Sequence, residues 1–333
     1  MNQNKTFLRR RDVLAVASAL MVGGLASPAA LAQGGYPNKP IRLVIPFAPG
    51  GVTDVAGRTI AEFMSKRLGQ QVVPDNRPGA SGNIGSQQVA TAEPDGYTLL
   101  VVLDGTFVIN PHVYEKVGFD PLRDFAPVGK IGDSTIILVA NPNVKARSLA
   151  DVIALSKSQP GGLAFGTSGN GSITHIAGEL LKQRSGANLT HVAYKGGGPA
   201  VADVLAGHIP LAFSSAASIH GHLKSGKLVP IGVPSGKRSP QYPDIPTFVE
   251  GGVPRFDLNS WVGIVAPAKT PTPILDRLNT ELNAALKDSA VREKLAGSGI
   301  GAAPGTAEGF GNVIRNELAA YGSVVKAAGI KLD

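Results

Sequence analysis

Three stretches of this chain run an apolar segment into a glycine-rich loop and a helix start, an arrangement that aims unpaired backbone N–H groups at an anion. The first passes from Ile41–Ile45 into Phe47, Ala48, Gly50, Gly51, Val52, Thr53 and Asp54. The second passes from 163–165 through Thr167, Ser168, Gly169, Gly171 and Ser172, with His175 beyond; the third leads from His191 and Tyr194 into Lys195, Gly196, Gly197, Gly198 and Pro199. The first four N–H groups of a helix lack intrahelical acceptors and sit at the positive end of its dipole, so a carboxylate or phosphate is held there without a dedicated cation. A small anion is the ligand class this chemistry implies.

Each loop residue has a role to fill. Gly50 and Gly51 let the backbone approach a ligand, and Thr53 or Asp54 caps the helix that follows. For Asp54 the cap is favoured over ligand contact, because a carboxylate beside an anion repels it. Phe47 forms an apolar wall of the site or belongs to the core beneath the loop. Thr167 and Ser168 offer hydroxyls beside exposed N–H groups, with Gly169 and Gly171 keeping the approach open. Tyr194 and Lys195 follow a strand directly, where a phenol and an ammonium can meet a ligand, although a surface lysine is ordinarily just solvated. Ser214 and Ser215 end another strand and are candidate cleft residues. Asp104 follows Thr98–Leu103: facing the cleft, it would select a ligand with an ammonium or hydroxyl besides its carboxylate; otherwise it caps Thr106 or Phe107, and Thr106 is kept as a candidate.

Catalysis has little to stand on. The chain has six histidines but no G-x-S-x-G elbow, no G-x-x-x-x-G-K-[ST] loop and no G-x-G-x-x-G between a strand and a helix. Gly79, Gly82 and Gly85 are regularly spaced, yet Pro78 precedes them and no long apolar strand does, so they read as a surface loop. His175 falls in the first turn of a helix, where a structural hydrogen bond is favoured over general-base chemistry. His220 and His222, flanking one glycine, are a weak metal signal and read as a solvated helix start. No catalytic residue, metal or cofactor is expected; a secreted hydrolase-like α/β enzyme is the weaker alternative.

The elements that must position these loops alternate between strand-like and helix-like from Ile41 to Val265, the pattern of an α/β protein with largely parallel sheets flanked by helices. Residues 55–68 are amphipathic and stop at Gly69; 149–156 and 173–184 read as helices capped by Ser148 and Ser172. Pro199 suits the first turn of a helix ending at Gly207, and 272–289 is an amphipathic helix started by Pro271 and Pro273. Strands are expected at 98–103, 135–140, 209–214 and 229–233. Ligands of doubly wound sheets bind beyond the carboxyl ends of strands, where all three loops lie, so two lobes facing across a cleft is the economical arrangement.

Residues 1–32 read as an export signal: Lys5 and Arg9-Arg10-Arg11, an apolar run, then Ala30-Leu31-Ala32 with cleavage before Gln33. Asp12-Val13-Leu14 after the arginines also fits a twin-arginine signal. The segment carries three of the eight net positive charges, leaving +5 on the remainder. That surplus is dispersed on helix faces, without a basic stripe or interleaved aromatics, and nucleic-acid binding is not supported. With 0 cysteines, burial alone must hold the fold together.

In order along the chain, Tyr36-Pro37-Asn38-Lys39-Pro40-Ile41, the first glycine loop, Asn76-Arg77-Pro78-Gly79-Ala80, Pro94-Asp95-Gly96-Tyr97, the second loop with His175, His191-Val192-Ala193-Tyr194-Lys195-Gly196-Gly197, Pro243-Asp244-Ile245-Pro246-Thr247 and Trp261 form a specific series. This series resembles the Bug-type (tripartite tricarboxylate transporter) substrate-binding proteins. The resemblance implies a periplasmic solute-binding protein of two α/β lobes joined by crossing segments and closing on a small organic carboxylate. By it, lobe one comprises 36–136 with 258–333, and lobe two 137–257. Backbone amides of the first loop and of lobe two would hold one carboxylate, partly through water. The partners implied are the permease subunits of a tripartite tricarboxylate-type transporter, or a sensor kinase that reports the ligand. Asp104 departs from the small polar residue of many members, leaving the acid open.

Overall fold

The strands in chain order are β1 (Ile41–Ile45), β2 (Val72–Asn76), β3 (Thr98–Leu103), β4 (Phe125–Ser134), β5 (Ile136–Ala140), β6 (Leu163–Thr167), β7 (Leu189–Ala193), β8 (Leu211–Ser215), β9 (Val229–Gly232), β10 (Ser260–Pro267) and β11 (Ile300–Ala302). They come from a computed structural model that describes residues 35–254 and 256–328; the export signal read over 1–32 lies outside the described residues. Met1–Asn38 and Lys39–Asp333 form separate units, and every element here belongs to the second.

One sheet has the order β11-β4-β10-β3-β1-β2, the other β7-β6-β8-β5-β9. In the first, β1 pairs parallel with β2 and β3, and β10 is inserted antiparallel between β3 and β4. In the second, β6 pairs parallel with β7 and β8, while β5 lies antiparallel between β8 and β9. Central strands are covered on both faces and therefore apolar almost throughout; in β1, Ile41, Leu43, Val44 and Ile45 are buried. The polar β2, with Pro74, sits at a sheet edge, where a missing N–H costs nothing.

The chain crosses between the sheets at a single residue, Thr135, which separates β4 from β5. It returns through 257–259 into Ser260, the first residue of β10 and the register partner of Ser134. The two crossings therefore run side by side.

Helices fill the intervals: α1 (Val52–Leu68), α2 (Asn83–Ala90), α3 (Asn110–Val113), α4 (Leu149–Ser158), α5 (Ile173–Ser185), α6 (Gly197–Ala206), α7 (Ala216–Lys224), α8 (Thr272–Lys287), α9 (Ser289–Gly297) and α10 (Ala307–Ala328). Ser148 and Asp151 close a capping box on α4, and Ser172 accepts from the His175 N–H at the start of α5. Gly69, Gly186 and Gly207 stop α1, α5 and α6 in the left-handed conformation.

Three expectations need correction. The sheets are mixed rather than largely parallel, since β10 and β5 each run antiparallel to both of their neighbours. The helix expected over 272–289 ends at Lys287, because Asp288 leaves helical geometry (ψ 133°) and caps α9 by accepting from the Val291 N–H. Gly79, Gly82 and Gly85 are not a plain surface loop: a 3-10 turn at Ala80–Gly82 leads into α2, which contains Gly85. A Cβ on Gly85 would stand 2.8 Å from the Pro46 side chain, so this glycine seats α2 against the first loop.

Packing is aromatic in both lobes. Phe107, Phe119 and Phe125 cluster beneath the first sheet, and Phe165, Phe213, Phe248 and Phe256 form a chain in the second. Trp261 meets Phe310 of α10 edge-on at 5.2 Å, and its Nε1 donates to Glu317 at 2.5 Å. In α10, Phe310, Ile314, Tyr321 and Val325 fall on one helical face and are all buried. Gly178 of α5 lies so close to the wholly buried Phe165 that an added Cβ would meet the ring at 2.1 Å. Gly178→Ala is expected to destabilise the protein by about 1–3 kcal/mol despite the better helix propensity of alanine, read as a lower midpoint in chemical denaturation.

Candidate ligand-binding cleft

Four helices begin at one small cavity between the sheets. Gly51, Val52 and Thr53 come from the start of α1, Ile173 and Thr174 from α5, Gly197 from α6, and Ser215 is the residue preceding α7. Phe47, Leu103, Ile136, Ser168, Ser214 and Ser260 complete the wall of a cavity of about 30 Å³. No lining side chain is charged. The cavity is nonetheless electropositive, because each helix brings its dipole's positive end and N–H groups without intrahelical acceptors. Ser214 adds a hydroxyl that is buried with no hydrogen-bond partner.

A second chamber of about 190 Å³ shares Phe47 and Ser168 with the first, and Gly79, Ala80, Ser81, Gly82, Tyr114, Gly169, Asn170, Ala193, Tyr194 and Lys195 line it. Phe47 thus forms a wall of both chambers and is itself buried, so the two roles read for it coincide.

Of the residues singled out in the sequence, Phe47, Gly51, Val52, Thr53, Ser168, Ser214 and Ser215 border the inner cavity, and Gly169, Tyr194 and Lys195 the second chamber. Ala48, Gly50, Asp54, Asp104, Thr106, Thr167, Gly171, His175 and Gly196 border neither. They support the walls instead. Ala48 N–H donates to the Lys195 carbonyl at 3.2 Å, joining the first and third loops. Asp54 accepts from Gly50 N–H at 3.1 Å, from Arg58 at 2.8 Å and from Asn76 at 3.0 Å, so its charge is spent on the loop; Thr53 makes no cap. Gly196, at φ 136°, precedes α6, and Thr106 donates to the Ser81 carbonyl at 2.9 Å. The Tyr194 hydroxyl donates to Asp203 at 2.6 Å; partial burial, then that bond, pushes the phenol up to about 12.

His175 is structural. Its Nδ1 accepts from Gly171 N–H at 3.1 Å, which places the proton of the neutral ring on Nε2. The ring stacks on His191 at 3.8 Å, and His191 Nε2 lies 2.6 Å from the Thr167 hydroxyl. Burial first, then His191, lowers His175 to about 3; burial and then Lys182 lower His191 to about 4. His220 lies within α7 rather than at its start, with Nδ1 2.8 Å from the Tyr242 hydroxyl.

Asp104 departs from both roles given to it. It is wholly buried behind the inner cavity, where Ser260 donates to its Oδ1 at 3.0 Å and Oδ2 has no partner. Burial, followed by the charge of Glu317, holds its pKa well above the usual carboxylate range.

The fit of the lobes depends on glycine. A Cβ on Gly198 would meet the Pro49 carbonyl at 2.8 Å. Ala80 and Ser81, at φ 45° and 52°, hold the left-handed conformation without being glycine, at a cost of about 1–3 kcal/mol each. Sequence patterning missed Ile136 and Ser260 because they lie on the strands that cross between lobes, and missed 79–82 because a bare glycine spacing does not reveal that the turn folds inward.

Residues 56–330 match the family model described as "Tripartite tricarboxylate transporter family receptor". This chain belongs to that receptor family. Its family and fold are those of periplasmic solute-binding proteins, which are not enzymes. Protein BugT of Bordetella pertussis is 36% identical to this receptor over 317 residues, covering 94% of this chain and 96% of BugT. A structure of R. palustris Rpa4515 with adipate superposes with a TM-score of 0.86 at 35% identity, covering 89% of this chain and 99% of the other. MatC from Rhodopseudomonas palustris with bound malate gives 0.83 at 30% identity, over 87% of this chain and 100% of MatC.

The histidine pair gives the receptor a predictable acid response. Both rings are neutral in the fold and titrate near 6.5 when unfolded, so below that pH the unfolded chain takes up protons that the fold refuses. Stability is therefore expected to fall as pH drops from about 6.5 towards 3. His175→Asn combined with His191→Gln should flatten the fall in thermal midpoint between pH 6.5 and 4; an unchanged slope would assign it to other groups.

Proposed function

We propose that this receptor captures a small organic carboxylate in the inner cavity and presents it to the permease subunits of a tripartite tricarboxylate-type transporter. The observation that carries the reading is the meeting of four helix N-termini, from both lobes, at a cavity with no charged side chain. Such a site favours a compact anion through dipoles and N–H donors, while a cation finds no acceptor charge there. Relatives of the same fold bound to adipate and malate support a carboxylate as the anion. The site comprises the inner cavity with Phe47 and Ser168 leading to the second chamber. No step of bond chemistry is needed.

The lobes proposed are 36–136 with 258–333, and 137–257; the first of these bounds falls one residue beyond the crossing at Thr135, so Ile136 goes with the second sheet. Export through the segment at 1–32, with cleavage near Ala32-Gln33, would deliver the receptor to the periplasm. Closure follows from ligand contacts made by both lobes at once, since only contacts that differ between open and closed states shift that balance.

Isothermal titration with mono- and dicarboxylates and their uncharged amides tests the reading. A carboxylate should bind and its amide should not; at a hundredfold excess over Kd the thermal midpoint should rise in step with about 2.7 kcal/mol of added stability. Ser214→Ala should weaken binding about five- to tenfold by removing one donor. Equal binding of acid and amide, or of neither, would overturn the anion site.

A further inference from the structure

The lobes also meet at a clasp outside the inner cavity. The carbonyl oxygen of Asn170, in the second glycine loop, accepts from the Ser81 hydroxyl and, at 3.1 Å, from the Tyr114 hydroxyl. Ser81 and Tyr114 belong to the first lobe and Asn170 to the second, so both bonds are broken whenever the lobes part. Ser81 is preset for this contact: its carbonyl accepts from Thr106 at 2.9 Å and from Asn110 at 3.2 Å, and these bonds pin its left-handed backbone from within its own lobe. The opposing loop is shaped to admit it. A Cβ on Gly169 would meet the Ser81 hydroxyl at 2.7 Å, and one on Gly171 would meet Asn110 Oδ1 at 2.6 Å.

We propose that this clasp sets the residence time of a bound ligand without taking part in choosing it. None of the three residues borders the inner cavity; all three line the second chamber, but there the Ser81 and Tyr114 hydroxyls are already spent on the Asn170 carbonyl rather than free for a ligand. A ligand leaves only from the open form, and the clasp stabilises the closed form by the same amount whatever the ligand. Because Ser81 is already ordered before closure, forming the clasp costs little conformational entropy. Selection and retention are thereby assigned to different residues, Ser214 and its neighbours for the first, Ser81 and Tyr114 for the second. The proposal rests on the carboxylate reading for its ligand but not for its geometry.

The test uses Tyr114→Phe and Ser81→Ala in two measurements. Stopped-flow dissociation of the carboxylates that bind should show koff raised about five- to tenfold in each variant, by the same factor for every acid, with the order of affinities kept. An unchanged koff in both variants, or a factor that depends on the acid, would overturn the proposal, the latter by showing the hydroxyls to be ligand contacts. The second measurement needs no ligand. The chain has 0 cysteines, so Lys66→Cys in α1 and Lys224→Cys in α7 give a single pair of spin labels, one on each lobe. The label separation should shift towards longer distances in Tyr114→Phe. An unshifted distribution would overturn the clasp even if carboxylates bind, and a shifted one would uphold it even if none does.

Discussion

Like ends of dipoles repel, and four of them are aimed at one cavity here. Bringing the start of α1 against those of α5, α6 and α7 gathers positive potential in a space of about 30 Å³. Negative charge placed among the helix ends would relieve that repulsion, and the titratable groups around the cavity supply none. Asp54, the acidic residue nearest the first loop, is tied down by Gly50, Arg58 and Asn76. Asp104 lies behind the wall, its pKa raised well above the usual carboxylate range by burial and by Glu317. The two histidines of the second lobe are held neutral. Titratable groups thus surround the cavity without setting its charge, which is left to the backbone.

Reliance on backbone donors explains the distribution of glycine. A side chain at Gly198 would push the start of α6 off the first loop, and Gly169 and Gly171 let the first lobe reach the second loop. Where glycine is absent from such a position, at Ala80 and Ser81, the left-handed backbone is held by the Thr106 and Asn110 side chains. That turn therefore carries strain where a hydroxyl has to be held in place.

Much of this was legible in the sequence, because local chemistry dictates it. Apolar run, glycine loop and capped helix start are all short-range features, and Ser148, Ser172 and Gly207 act where their types predict. What lay hidden depends on long-range placement. Ile136 and Ser260 reach the cavity because two crossing strands lie side by side, and residues 124 positions apart share no local signal. Strand β4 escaped because Gly129 and Gly132 interrupt its apolar pattern; the neighbouring strand requires the second of these, since a Cβ there would meet the Gly301 carbonyl at 2.3 Å. Asp104 was ambiguous for a related reason: the same aspartate is a counter-charge at a surface and a neutral acid when buried, and burial is a property of the whole fold.

The one-residue crossing at Thr135 also bears on the cavity. Ile136 follows it directly and Ser260 lies beside Ser134, so the floor of the cavity and the fold line between the sheets are built from the same strands. On the proposed reading, a carboxylate held at that floor rests on the very segments that join the two sheets, so its contacts there bear on the joint as well as on the ligand.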